Sequence, residues 1–85
     1  MFVTEDMTLV AILKTKGIEC SEMINQHGGC RWMFRPNDVI DQTLDEYNAD
    51  ECLVEPREFV KKLSLVRQDM YSFLGHAPKR VRSAT

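Results

Sequence analysis

Leu9, Ile12, Leu13 and Lys16 recur at i, i+3, i+4 and i+7, with Val10 beside them, the spacing of an apolar stripe on one helix face. Thr4 is placed to cap this helix, Glu5 and Asp6 to sit at the positive end of its dipole, and Gly17 to close it behind Lys14 and Lys16. Together these signals predict a first helix over about 4–16. From residue 18 the period changes to two. Ile18 and Cys20 alternate with Glu19 and Ser21. Beyond Asn25-Gln26-His27-Gly28-Gly29, Cys30, Trp32 and Phe34 alternate with Arg31, Met33 and Arg35. Alternation on both sides of a glycine pair predicts a β-hairpin with strands over about 18–24 and 30–35. Its second strand sends Cys30, Trp32 and Phe34 to the core, sends Arg31, Met33 and Arg35 outward, and ends at Pro36, which has no N–H for a ladder.

The helical period then returns. Asn37 or Asp38 caps a second helix over 37–48, with Ile40, Leu44 and Tyr47 inward and carboxylates on the other face. Pro56 suits the first turn of a third helix, where a missing N–H costs nothing. Phe59, Leu63, Val66, Met70 and Phe73 carry its stripe over 56–74 and Gly75 stops it. Helix, hairpin, helix, helix predicts an α+β domain over residues 1–75, with three helices packed on a small antiparallel sheet. Two strands alone make a marginal sheet. Met1–Val3 or Leu53-Val54 is therefore expected to add a third, unless a homodimer continues it. Nineteen residues at 1.5 Å each give the third helix roughly 28 Å, long enough either to span the domain or to pack on another copy. The last ten residues, 76–85, read as a flexible basic tail with Lys79, Arg80 and Arg82.

Composition narrows the partners. The 85 residues carry a net charge of −2, the wrong sign for a general nucleic-acid coat. Residues 1–75 hold all thirteen acidic side chains against eight basic ones, and eight of the acids lie between Asp38 and Glu58 with only Arg57 among them. No apolar run approaches the roughly 20 residues of a membrane span. No basic segment followed by an apolar one opens the chain. The expected setting is the cytosol, with no membrane partner.

Candidate chemistry is sparse. Cys20, Cys30 and Cys52 are odd in number and lack paired spacing, so they read as free, buried thiols. A zinc site from Cys20, His27, Cys30 and Cys52 has the right ligand types but no short C-x2-C knuckle. No acidic run has calcium-loop spacing either, and no cofactor is expected. Cys30 near His27 superficially suggests a nucleophile with its base, but the strand alternation turns Cys30 inward. We expect no enzyme. Two binding constellations stand out: Arg31, Trp32 and Arg35, two guanidiniums with a planar ring suited to phosphates and bases, and the carboxylates Asp38, Asp41, Asp45 and Glu46, suited to a basic protein surface. Each also has a plainer reading, Trp32 as core anchor and the acids as a solvated helix face.

Thr4-x-Asp6-x-x-Leu9, Gly17, Arg31-Trp32-Met33-Phe34, Tyr47, Val54-x-Pro56-x-x-Phe59 and Met70-Tyr71 together resemble an uncharacterised small-domain family common in phages, prophages and bacterial mobile elements. The resemblance spans about residues 3–74 and rests on caps, core aromatics and a helix-start proline. It implies no reaction. It implies an accessory protein that acts by stoichiometric binding, inhibiting a host defence system by docking on a host protein or by sequestering an anionic nucleotide messenger. A nucleic-acid-binding regulator and a structural or assembly factor are the alternatives.

Overall fold

The computed structural model describes residues 1–75 as β1 (Phe2–Thr4), α1 (Met7–Thr15), β2 (Glu22–Gln26), β3 (Gly29–Phe34), α2 (Asp38–Asn48) and α3 (Pro56–Leu74). The fold is α+β. The basic tail expected over 76–85 lies outside the described residues.

The sheet is antiparallel, in the order β1-β3-β2. Phe2 pairs with Phe34 and Thr4 with Trp32 on one side of β3, while Met23 pairs with Trp32 and Gln26 with Gly29 on the other. The third strand is therefore the N-terminal one; Leu53-Val54 forms no strand, and Leu53 is 90% exposed. Because Phe2–Thr4 extends alongside β3, the first helix starts later than its pattern suggests. Its cap is Asp6 and not Thr4: an Asp6 carboxylate oxygen accepts from the Thr8 and Leu9 N–H groups at 3.0 and 3.2 Å, while the Thr4 hydroxyl accepts from the Asp6 N–H. A side-chain acceptor at that position satisfies donors the helix cannot.

The hairpin also differs from its sequence reading. Its connection is the two residues His27 and Gly28, both at positive φ (55° and 81°), the geometry of a type I′ turn. Gly29 is already strand, opposite Gln26. Residues 18–21 do not join the ladder. The Ile18 N–H is taken by the Leu13 carbonyl and the Gly17 N–H by that of Lys14, a Schellman closure of α1 with Gly17 left-handed. Ser21 then gives both its N–H and its hydroxyl to the Met33 carbonyl.

Burial explains the layering. Leu9, Val10, Ala11, Ile12 and Leu13 are all buried, so the middle of α1 has no solvent face and the other elements close around it. Cys30, Trp32 and Phe34 present the inner face of the sheet to the same core, with Ile40 from α2 and Val66 from α3. Phe2 and Phe34 lie 6.0 Å apart between ring centroids. Thr43 is the single buried polar residue among those described, and its hydroxyl donates to the Val39 carbonyl at 2.6 Å. That bond within α2 removes the penalty of burying an unpaired hydroxyl.

The end of α2 carries a local cost. The Glu51 N–H donates to the Glu46 carbonyl and that of Asp50 to the Tyr47 carbonyl, a second Schellman closure, here with Asp50 at φ 58° where glycine is favoured. Asp50→Gly is expected to stabilise the domain by about 1 kcal/mol, read as a higher urea midpoint; a lower midpoint would show that the Asp50 side chain contributes more than its backbone strain costs.

Candidate functional site

Helix α2 begins at Asn37, whose side-chain oxygen accepts the Val39 N–H at 2.7 Å. Ile40, Thr43, Leu44 and Tyr47 turn toward the protein, which leaves Asp38, Asp41 and Asp45 exposed along the opposite face. Seven residues separate the outer two, about 10 Å along the axis. None of the three has a cation within ion-pair distance among the described residues; the ion pairs there are Lys14–Glu19, Lys16–Glu46, Arg31–Glu5 and Lys61–Glu58. Glu46 thus separates from the stripe and ties α2 to the end of α1 through Lys16 at 3.0 Å.

Helix electrostatics account for only part of this stripe. Asp38 and Asp41 lie in the first turn of α2, where the positive dipole end favours carboxylates. Asp45 lies near the other end, where no basic residue offsets it, so its charge works against the helix.

The arginine–tryptophan cluster does not assemble. Trp32 is 2% exposed, and its ring has no surface on which a base stacks. Arg31 is on the outer face of the sheet and is held by Glu5 at 3.0 Å. Arg35, exposed and without an ion pair among the described residues, instead lines a groove of about 450 Å³ with Gly17, Ile18, Glu19, Cys20, Ser21, Pro36 and Asn37. The turn that caps α1 and the turn that starts α2 form its walls.

The cysteines are free thiols. Burial raises the pKa of Cys30 first, and the neighbouring Cys20 adds to the shift. Cys20 is likewise raised by burial, against the opposing pull of Lys14. Both changes disfavour the thiolate, the reactive form. His27 is exposed in the hairpin turn, and Cys30 is buried on the core face of β3. Among the described residues no three His, Cys, Asp or Glu side chains converge as a metal site needs.

One polar contact was not apparent in the sequence. The Tyr47 hydroxyl donates to the second carboxylate oxygen of Asp6 at 2.7 Å, so the residue that caps α1 also holds the end of α2. The period-3.6 stripe places Tyr47 inward, and only the 41-residue contact shows what its hydroxyl meets. The bond to Asp6, then burial and the Asp6 charge, push the phenol from 10.0 up to about 12. A raised phenol pKa means the fold favours the protonated form. The stabilisation is therefore complete below pH 10 and is lost as the pH rises through about 12. Tyr47→Phe is expected to cost about 1 kcal/mol at neutral pH, and its urea midpoint should converge on that of the parent protein between pH 10 and 12. A constant gap across that range would rule the tie out. Tyr47 also borders a second hollow with Ile12, Asn48, Asp50 and Cys52.

Fold and site together define a small α+β domain whose acidic helix face has no ion pair among the described residues and lies beside a groove that holds one arginine. No helix is long and apolar enough to cross a membrane among the described residues. The chain belongs to the family described as Domain of unknown function (DUF5659), whose model matches residues 1–72. That match takes in the whole sheet, α1, α2 and all but the end of α3. No curated protein and no solved structure matches the chain.

Proposed function

We propose that this protein acts stoichiometrically and without catalysis, docking the Asp38–Asp41–Asp45 face of α2 onto a basic surface of another protein. In the phage and mobile-element setting implied by the resemblance, that partner is a component of a host defence system and the docking inhibits it. The observation that carries the reading is the contrast between the two candidate clusters. The three aspartates stand exposed on one face with no cation partner among the described residues, whereas the arginine cluster loses Trp32 to the core and Arg31 to Glu5. A carboxylate stripe that forms no ion pair among the described residues is open to lysines and arginines elsewhere, which aids encounter and orientation.

Arg35 supports a second reading. Its guanidinium, without an ion pair among the described residues, borders the groove next to Asn37 and Ser21, a setting for one anionic group. Asp38 directly follows that wall in sequence and opposes a polyanion, so a nucleotide is the weaker candidate. The deciding experiment is capture of host proteins by the purified chain at rising salt. Parent protein, the Asp38→Lys/Asp41→Lys/Asp45→Lys variant and Arg35→Ala are compared. Loss of a salt-sensitive partner in the first variant alone supports docking through α2. Loss of a bound nucleotide in the second alone supports the groove.

A further inference from the structure

A hollow of about 510 Å³ opens between α1 and the end of α2, walled by Ile12, Tyr47, Asn48, Asp50 and Cys52. It continues the acidic face of α2. Asn48 follows Asp45 by three residues and Asp41 by seven, so the line of aspartates runs along the helix to this rim. Two of the walls are fixed in place. Tyr47 is pinned through its hydroxyl to Asp6 at 2.7 Å. Asp50 is held by its own N–H on the Tyr47 carbonyl and by that of Glu51 on the Glu46 carbonyl.

The hollow has one electrostatic sign. Helix α2 points the negative end of its dipole here, with no basic residue in its last turn. The Asp50 carboxylate is exposed and has no ion pair among the described residues. Asp6 lies behind Tyr47, and after the hydrogen bond and burial, the charges of Asp6 and Asp50 both push the phenol pKa further up. No lysine or arginine is among the walls, and Lys16, one turn beyond Ile12 on α1, is held by Glu46. Asp50 also stands at φ 58°, where glycine is free of strain. A carboxylate is thus kept at this rim against the preference of its own backbone.

These walls suit a flat cation. Tyr47 offers an aromatic surface, Asp50 two carboxylate oxygens and Ile12 an apolar patch for a methylene stem. A guanidinium stacks on aromatic rings, pairs with a carboxylate through two N–H groups and sheds water more readily than an ammonium does. We infer that this hollow is a binding site for the guanidinium of an arginine side chain, by which the basic partner anchors at the end of α2. That the arginine belongs to a protein partner rests on the docking proposed above. The preference of the hollow for a guanidinium does not, so either proposal can fail alone.

Amide chemical shifts of the full chain, titrated with N-acetylarginine methylamide, test the site. The Asn48, Asp50 and Cys52 amides should move saturably. The citrulline analogue, of the same shape without the charge, should leave them in place, and the lysine analogue should bind more weakly. Asp50→Asn keeps a residue that tolerates the left-handed backbone and removes the charge. It should raise the dissociation constant of the probe about tenfold with unchanged circular dichroism. The Asp38→Lys/Asp41→Lys/Asp45→Lys variant should still show the same three amides moving, which separates the hollow from the docking face. The proposal is overturned if the probe moves none of these amides, or if the triple variant loses the response. An equal response to the citrulline or lysine analogue, or an Asp50→Asn affinity equal to that of the parent, overturns it as well.

Discussion

Phe34→Ala is expected to remove a large share of the domain's stability, about 3–5 kcal/mol. Phe34 is 1% exposed at the end of the central strand, where its ring meets Phe2 from β1. Removing a buried phenylalanine ring costs about 3–5 kcal/mol, part lost transfer energy and part the hole left behind. A folded unit of this size has roughly 4–11 kcal/mol in total at the usual stability per residue, so one ring accounts for a large share. The core has few residues to redistribute the loss, and β1 is only three residues long, with little besides Phe2 to keep it on the sheet. The control is Val3→Ala, on the outer face of the same sheet at 40% exposure, expected to cost under about 1 kcal/mol. Urea titration followed by far-ultraviolet circular dichroism measures both. A Phe34→Ala midpoint equal to that of Val3→Ala would mean that the sheet does not depend on this ring.

Reversing Asp38, Asp41 and Asp45 to lysine is expected to abolish partner binding while the fold survives. The three substitutions change the net charge of the face by six, and each new lysine meets the cation that its aspartate would have attracted. Like-charge contacts at an interface cost several kcal/mol, so an affinity loss of about 100-fold or more follows. The helix itself should tolerate the change. Losing Asp38 and Asp41 from the first turn costs about 0.3–1 kcal/mol each, and a lysine at 45 regains a similar amount at the opposite end. Thermal melts should therefore differ by a few degrees while binding disappears. The contribution of salt is measured on the parent complex, whose affinity should fall as exposed charges are screened. Undiminished binding by the triple variant would remove α2 from the interface.

Local chemistry accounts for the elements that were legible in the sequence. Asn37 with its cap, Pro56 at the first position of α3 and left-handed Gly75 behind it mark their helix ends through backbone needs met within a few residues. Strand β3 was equally plain, because strict alternation from Cys30 to Phe34 leaves one way to bury it. The start of α1 was not, because Thr4 and Asp6 are both good caps. Thr4 is drawn into the sheet by pairing with Trp32, 28 positions later. Residues 18–21 alternate like a strand, but the Ile18 N–H is already engaged in closing α1.

The candidate site divides along the same line. Sequence periodicity placed Asp38, Asp41 and Asp45 together on the outer face of one helix, since their spacing alone brings them into register. It could not show that Glu46 is held by Lys16, that Glu5 takes Arg31, or that Asp6 accepts the hydroxyl of Tyr47. Helical and strand periods are short-range properties of the chain, and they determined the elements, their faces and the acidic stripe. Which charges remain unpaired is set by contacts between residues tens of positions apart, and only the packing of α1, α2 and the sheet decided that.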